Sequence, residues 1–168
     1  MKKTMRIIAI LACMILALVG SAYAQGDVSP DFSHHPPHVC EYLTKHYPYA
    51  LSTYIEFGIP ISLTLAVGAY ESAYGKSYAA KEKCNFFGLV KGQMPFNNMS
   101  QCYRFWGYLL STERYQKIHR LPHTNWRMWC HSLAYLGYNP RDTYGDSLIE
   151  VIEYLELYKL DLKHEEYE

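Results

Sequence analysis

The sequence carries no surplus of charge of either sign, with 16 Lys and Arg against 16 Asp and Glu. Nucleic-acid binding calls for a basic footprint, so that class is set aside. Long apolar runs are also missing. The longest, Ile7 to Val19, falls short of the roughly 20 residues that a membrane-spanning helix uses. It follows the basic start Met-Lys-Lys-Thr-Met-Arg and leads to Ala22-Tyr23-Ala24, the layout of a secretory signal peptide cleaved after Ala24. Ile10-Leu-Ala-Cys13 faintly matches a lipoprotein box but lies too early in the run, so no membrane anchor is expected after cleavage. Internal repeats and low-complexity stretches are absent, which excludes solenoids and arrays.

Cleavage would remove Lys2, Lys3 and Arg6 and no acid, leaving 13 basic residues (16 less these three) against 16 acidic ones. Such a chain gains nothing from charge on an anionic polymer. Any grip on a glycan must come from hydrogen bonds and ring stacking. Cysteine is sparse too. Without Cys13 there remain Cys40, Cys84, Cys102 and Cys130, whose spacings are not those of a zinc site. Four cysteines in an exported chain permit two disulfides in three connectivities. Cys84–Cys102 with Cys40–Cys130 is the favoured set, because the first pair ties a short loop region to the helix after it. Buried free thiols are the alternative.

At 168 residues the chain is one domain's worth. Residues 25–37 are polar and proline-bearing and read as a linker, residues 38–162 as the domain, and residues 163–168 as a tail. His34, His35 and His38 lie among prolines with no fixed element beneath them, so they are read as incidental. Neither a metal nor a cofactor is expected.

The stretch with most chemistry runs from Pro60 to Gly92. Pro60 and the apolar run Ile61 to Tyr70 predict a helix, and Gly75 predicts its stop, so Glu71 falls in the last turn. There the helix dipole and apolar surroundings both disfavour a charged carboxylate, as suits a general acid. Gly68 and Thr64 share the stripe of Glu71, and such small residues leave room for something to lie against that face. A solvated glutamate at a helix end is the plainer alternative.

These residues carry a resemblance. Ala69-Tyr-Glu-Ser-Ala-Tyr-Gly-Lys-Ser77, then Asn85-Phe-Phe-Gly-Leu89 and Lys91-Gly92, resembles the signature of the bacterial N-acetylglucosaminidase family of peptidoglycan hydrolases, which includes autolysins and the flagellar-rod muralytic domain. The pattern reads roughly A-x-E-S-[GA]-[WY]-G-x-S, then N-x-F-G-[IL]-K-G. Further on, Gly137-Tyr138 to Tyr144 and Leu148 match G-Y-x-x-x-x-x-Y-x-x-x-L, and Arg114-Tyr115 matches an Arg-Tyr common at that point. The resemblance implies an α+β, mostly α, lysozyme-like single domain with a reduced β-lobe. It implies Glu71 as the acid, Tyr138 beside it, and Ser77 shaping the adjoining loop. Members usually carry a second acidic residue on the β-lobe. Here no Asp or Glu lies between Glu82 and Glu113.

Along the rest of the chain, periodicity predicts a helix from His38 broken near Pro48, and a second run through Leu51, Tyr54 and Ile55 ending at Gly58. A short helical turn is expected over Ser77 to Lys83. Cys84 to Asn98 is the one stretch with strand character. Asn98-Met-Ser-Gln101 reads as a capping box opening a helix through Cys102, Phe105, Trp106, Leu109 and Leu110. Trp126 to Leu136 predicts another helix, stopped by Gly137, and Leu148, Ile152 and Leu155 a closing one.

Aromatics make up 15% of the chain, and a sugar cleft uses such rings. Tyr74, Phe87, Tyr115, Tyr138 and Tyr144 sit off the helical stripes and are the cleft candidates, with Ser72, Ser77 and Asn85 as polar contacts. The function expected is an exported peptidoglycan hydrolase, periplasmic or secreted, cutting glycan strands beside N-acetylglucosamine. The alternatives are a muramidase or lytic transglycosylase, and a degenerate wall-binding domain. A lone catalytic domain also points to a partner assembly for targeting, such as a secretion or conjugation apparatus crossing the wall.

Overall fold

A computed structural model describes residues 30–165, and from Phe32 onward they fold as one unit. The signal-peptide reading, residues 25–29 of the linker and residues 166–168 of the tail lie outside the described residues. The helices are α1 (Pro37–Phe57), α2 (Ile61–Ser72), α3 (Tyr78–Lys83), α4 (Met99–Leu110), α5 (Trp126–Tyr135), α6 (Tyr144–Tyr154) and α7 (Tyr158–Glu165), with a 3-10 turn at Gln116–Arg120. The domain is a small, mostly helical one of the lysozyme-like class, with no strand among the described residues.

Helix α2 is the axis of the fold. Every residue from Ile61 to Ala69 is buried, and α1, α5, α6 and α7 all pack on it. A helix apolar on every side is the sequence's statement that it will be surrounded. Its first turn is held from the far end of the chain, where Asp161 Oδ1 on α7 accepts the Ser62 N–H at 3.0 Å. A carboxylate there satisfies one of the first amides and meets the positive end of the helix dipole.

Two expectations about elements are corrected. Pro48 does not break the first helix; α1 runs through it to Gly58, which caps it at φ +64°. An interior proline costs about 3 kcal/mol. Leu43, Tyr47 and Ala50 flank it on the buried face, and fully burying one large apolar side chain already returns roughly 1.5–3 kcal/mol. Burial wins. The Cys84–Asn98 stretch forms turns rather than a strand, with Cys84, Gly88, Val90, Lys91 and Gly92 all at positive φ. Its apolar residues do not alternate: Phe86, Phe87 and Leu89 are all buried. Asn85 staples the loop, Oδ1 accepting from Leu89 N–H at 3.0 Å and Nδ2 donating to Leu89 O at 2.9 Å and Met94 O at 3.0 Å.

The proposed disulfides are not formed either: Cys40, Cys84, Cys102 and Cys130 are free thiols. Cys40 and Cys130 sit on α1 and α5, which are not among the helix pairs that pack closely. Cys102 and Cys130 are core residues, and burial pushes both thiols up to about 12, where they act as small hydrophobes.

A polar knot lies between α1 and α4. The His46 ring, 2% exposed, stacks on Tyr42 at 4.1 Å and its Nδ1 lies 2.6 Å from Tyr103 Oη. Burial lowers the His46 pKa to about 3, with Lys45 adding to it. The folded state thus keeps a neutral imidazole that the unfolded chain protonates below about 6.5. Stability from this site is whole above that pH and falls as pH drops toward 3, by about 1.4 kcal/mol per unit. We expect wild type to lose about 2 kcal/mol between pH 6.5 and 5 through this group, and His46→Gln to remove that part of the slope. Denaturant melts of both proteins across the range check it; parallel slopes would refute it.

Candidate active site

Glu71 stands in the last turn of α2 because the chain cannot continue the helix beyond Ser72. Ala73, Tyr74 and Gly75 take φ of +50°, +56° and +76° in succession. Two non-glycine residues in the left-handed region are uncommon and need local bonds to hold them. Tyr74 N–H donates to Ala69 O at 2.9 Å, Gly75 N–H to Ser72 Oγ at 2.7 Å, and Ser77 N–H to Ser72 O at 2.8 Å. The helix end turns abruptly and leaves Glu71 partly exposed at its rim.

Two segments close on the carboxylate. Asn139 Nδ2 donates to Glu71 Oε1 at 3.1 Å. On the other side lies Gly88, where a Cβ would stand 2.7 Å from Glu71 Oε2. Tyr138 ties the two segments together. Its hydroxyl donates to Phe87 O at 2.8 Å and accepts from Trp106 Nε1 at 3.1 Å. Arg114 holds the other end of the Tyr138 loop, donating from Nε to Leu136 O at 2.8 Å and from Nη2 to Gly137 O at 3.2 Å. Tyr144 stacks on Tyr138 at 6.0 Å and meets Tyr70 edge-on at 5.4 Å. Its hydroxyl is buried without a normal hydrogen bond. Burial first, then Tyr138 and the Glu71 charge, hold the Tyr144 phenol up; burial followed by the Glu71 charge does the same for Tyr138.

The structure therefore brings together Glu71, Tyr138 and Tyr144 from the sequence candidates and adds Asn139, Gly88 and Arg141. Other candidates serve elsewhere. Ser72 is wholly buried, its hydroxyl donating to Gly68 O and accepting from Gly75, so it faces no substrate. Ser77 caps α3, accepting from Ala80 N–H at 3.2 Å. Asn85 is buried in its loop staple. Phe87 stacks flat on Trp106 at 4.6 Å, and Tyr115 packs against Tyr138 at 6.4 Å. Phe87, Tyr115 and Tyr144 are buried, so they are not free to stack on a sugar; these element ends fold back over the core. Tyr74 is half-buried and meets Tyr42 and His38 edge-on. The room expected beside Gly68 is filled by the protein itself, since a Cβ there would lie 2.5 Å from Tyr42 Oη. Asp142 is exposed. A hollow of about 320 Å³ lined by Trp126, Arg127, Glu153 and Tyr158 contains none of these groups and is not this site.

A partly exposed glutamate fixed by an amide can hold a proton and pass it to an oxygen bound beside it. A family model described as mannosyl-glycoprotein endo-beta-N-acetylglucosaminidase matches residues 47–157. The chain belongs to this glucosaminidase family. It is a glycoside hydrolase of the endo-β-N-acetylglucosaminidase type. No curated protein and no solved structure matches it. The match takes in Glu71, Gly88, Tyr138 and Tyr144, while His46 and Asp161 fall outside it.

Asn139 had a partial signal in sequence. Asn-Pro after Gly-Tyr announces a turn, and Arg141 N–H does donate to Asn139 Oδ1 at 3.1 Å. Nothing in the spacing says that the other end of this amide meets a residue 68 positions away.

Proposed function

We propose that this glucosaminidase cuts peptidoglycan strands on the reducing side of N-acetylglucosamine, outside the cytoplasm, with Glu71 as general acid. The observation that carries this reading is the Glu71 carboxylate, partly exposed at the end of a buried helix and held by Asn139. Family membership supports a peptidoglycan glycosidase role. The basic, apolar and A-x-A start motivates export.

Glycosidases ordinarily use two carboxylates. The 84–98 loop supplies none, so the second role falls to the substrate's own 2-acetamido oxygen. That oxygen attacks the anomeric carbon as Glu71 protonates the departing glycosidic oxygen and the C–O bond breaks. Water then opens the cyclic intermediate, the Glu71 carboxylate taking its proton, and the anomer is retained. Tyr138, which the family resemblance sets beside the acid, does not face the acetamido as a free hydroxyl. Its hydroxyl is engaged by Phe87 and Trp106, which makes it the pin of the loop instead.

A digest of purified sacculi tests the reading, using protein from the periplasmic fraction or culture medium whose intact mass should begin at Gln25. Released muropeptides should end in reducing N-acetylglucosamine, first formed as the β anomer, and Asp142→Asn should cut as wild type does. Muramic acid or its anhydro form at the ends would instead select the muramidase or transglycosylase alternative. An unprocessed mass would remove export.

A further inference from the structure

We propose that Asn139 is the positioning residue of the reaction, locking Glu71 Oε1 as a hydrogen-bond acceptor so that the transferable proton is carried on Oε2. The inference rests on Glu71 being the proton donor and goes beyond it by assigning the proton to one oxygen.

The orientation of the amide follows from its surroundings. Oδ1 accepts Arg141 N–H at 3.1 Å, so Nδ2 is the end that reaches Glu71 Oε1. Turning the amide over would set Oδ1 against a carboxylate oxygen, acceptor against acceptor, and NH₂ against a backbone N–H, donor against donor. The loop has little freedom to move the amide away. Arg141 Nη1 donates to Tyr70 Oη at 3.0 Å, next to Glu71 on α2, and Tyr138 on the other side is bonded to Phe87 and Trp106. Asn139 is thus flanked by Tyr138 on one side and by Arg141, two residues on, on the other, both bonded to elements that surround the carboxylate.

An amide N–H can only donate, so a carboxyl group beside it presents a bare oxygen there. When Glu71 is protonated, the hydrogen belongs on Oε2, against the Gly88 backbone. A freely turning carboxyl would offer its proton in the right direction only part of the time. Holding the group is worth rate because a misdirected donor transfers nothing.

Among the groups facing Glu71, the Tyr144 hydroxyl also bears on the carboxyl, outside normal hydrogen-bond geometry. Tyr138 and Tyr144 face it as phenols held up by burial, Gly88 contributes backbone, and the Arg141 guanidinium is spent on Tyr70. Phenols and guanidinium do not titrate between pH 4 and 8, so they contribute no limb to a pH–rate profile in that range.

The test compares Asn139→Ala and Asn139→Asp with wild type and Glu71→Gln on soluble glycan fragments. Asn139→Ala should lower kcat by about 10-fold or more with KM little changed, since the lost bond acts on orientation and not on substrate binding. Asn139→Asp preserves shape but sets a second carboxylate against Oε1. Two carboxylates that close share a proton, so its alkaline limb should move up by about one pH unit or more. Near-UV circular dichroism on the isosteric Asp variant guards against a folding artefact. Wild-type kcat and wild-type limbs in both variants, with Glu71→Gln inactive, would overturn the role of Asn139 alone. A fully active Glu71→Gln would overturn the proton-donor reading beneath it.

Discussion

Glu71→Gln is expected to lose about 100- to 10,000-fold in the rate of glycan cleavage, the range general acid catalysis contributes. The amide keeps the length and polarity of the acid, and its oxygen can still accept the Asn139 N–H at Oε1. What it lacks is a proton that can leave with the departing sugar. Packing beneath the residue is untouched, because residues 61–69 of α2 are buried whatever stands at 71. Zymography on purified sacculi and an initial-rate assay should both register the loss, while the melting temperature stays within a degree or two. Clearing at the wild-type rate would remove Glu71 from the mechanism.

Gly88→Ala should be the second most damaging change at the site. Gly88 holds φ +65°, where an added Cβ costs roughly 1–2 kcal/mol. The same Cβ would lie 2.7 Å from Glu71 Oε2, nearer than real Cβ contacts come, so the carboxylate must shift. A displacement near 1 Å at a reacting group can cost about 100-fold, and we expect kcat/KM to fall by 10- to 100-fold. Gly92→Ala separates the two effects. Gly92 has φ +74°, and its Cβ would meet only the Ala79 methyl at 3.2 Å. Both variants should be destabilised alike, while only Gly88→Ala loses activity on that scale. Equal kcat/KM for the two would show that Gly88 matters to the backbone alone.

Much of the helical frame was legible from the residues. Asn98 caps α4 as its spacing requires, accepting Gln101 N–H at 2.9 Å, although Gln101 reaches back to Asn97 N–H rather than to Asn98. Gly58 and Gly137 stop helices where they should, both at positive φ. These signals are local, and local chemistry decides them. The misses are of another kind. Pro48 stays inside α1 because residues distant in sequence cover its flanks. The 84–98 loop has the composition of a strand but no partner to pair with, and Asn85 folds it on itself. The cleft aromatics Phe87, Tyr115 and Tyr144 sit at element ends, yet those ends turn inward. For the site, the place of Glu71 in the last turn of its helix was legible, whereas its contacts with Asn139 and Gly88 come from a meeting of three segments that no spacing encodes.

The bond from Ser62 to Asp161 spans 99 positions. Contacts over such distances form late, after the loop between them has been closed. The first turn of the helix bearing Glu71 therefore lacks this support until α7 has docked. A ribosome-bound or partly threaded chain would hold the carboxylate without that support, its axis unsecured at the opposite end from the reacting group. The far end of the chain thus secures the helix whose other end carries Glu71. A chain cut short of α7 would lose that support with every residue around Glu71 still present.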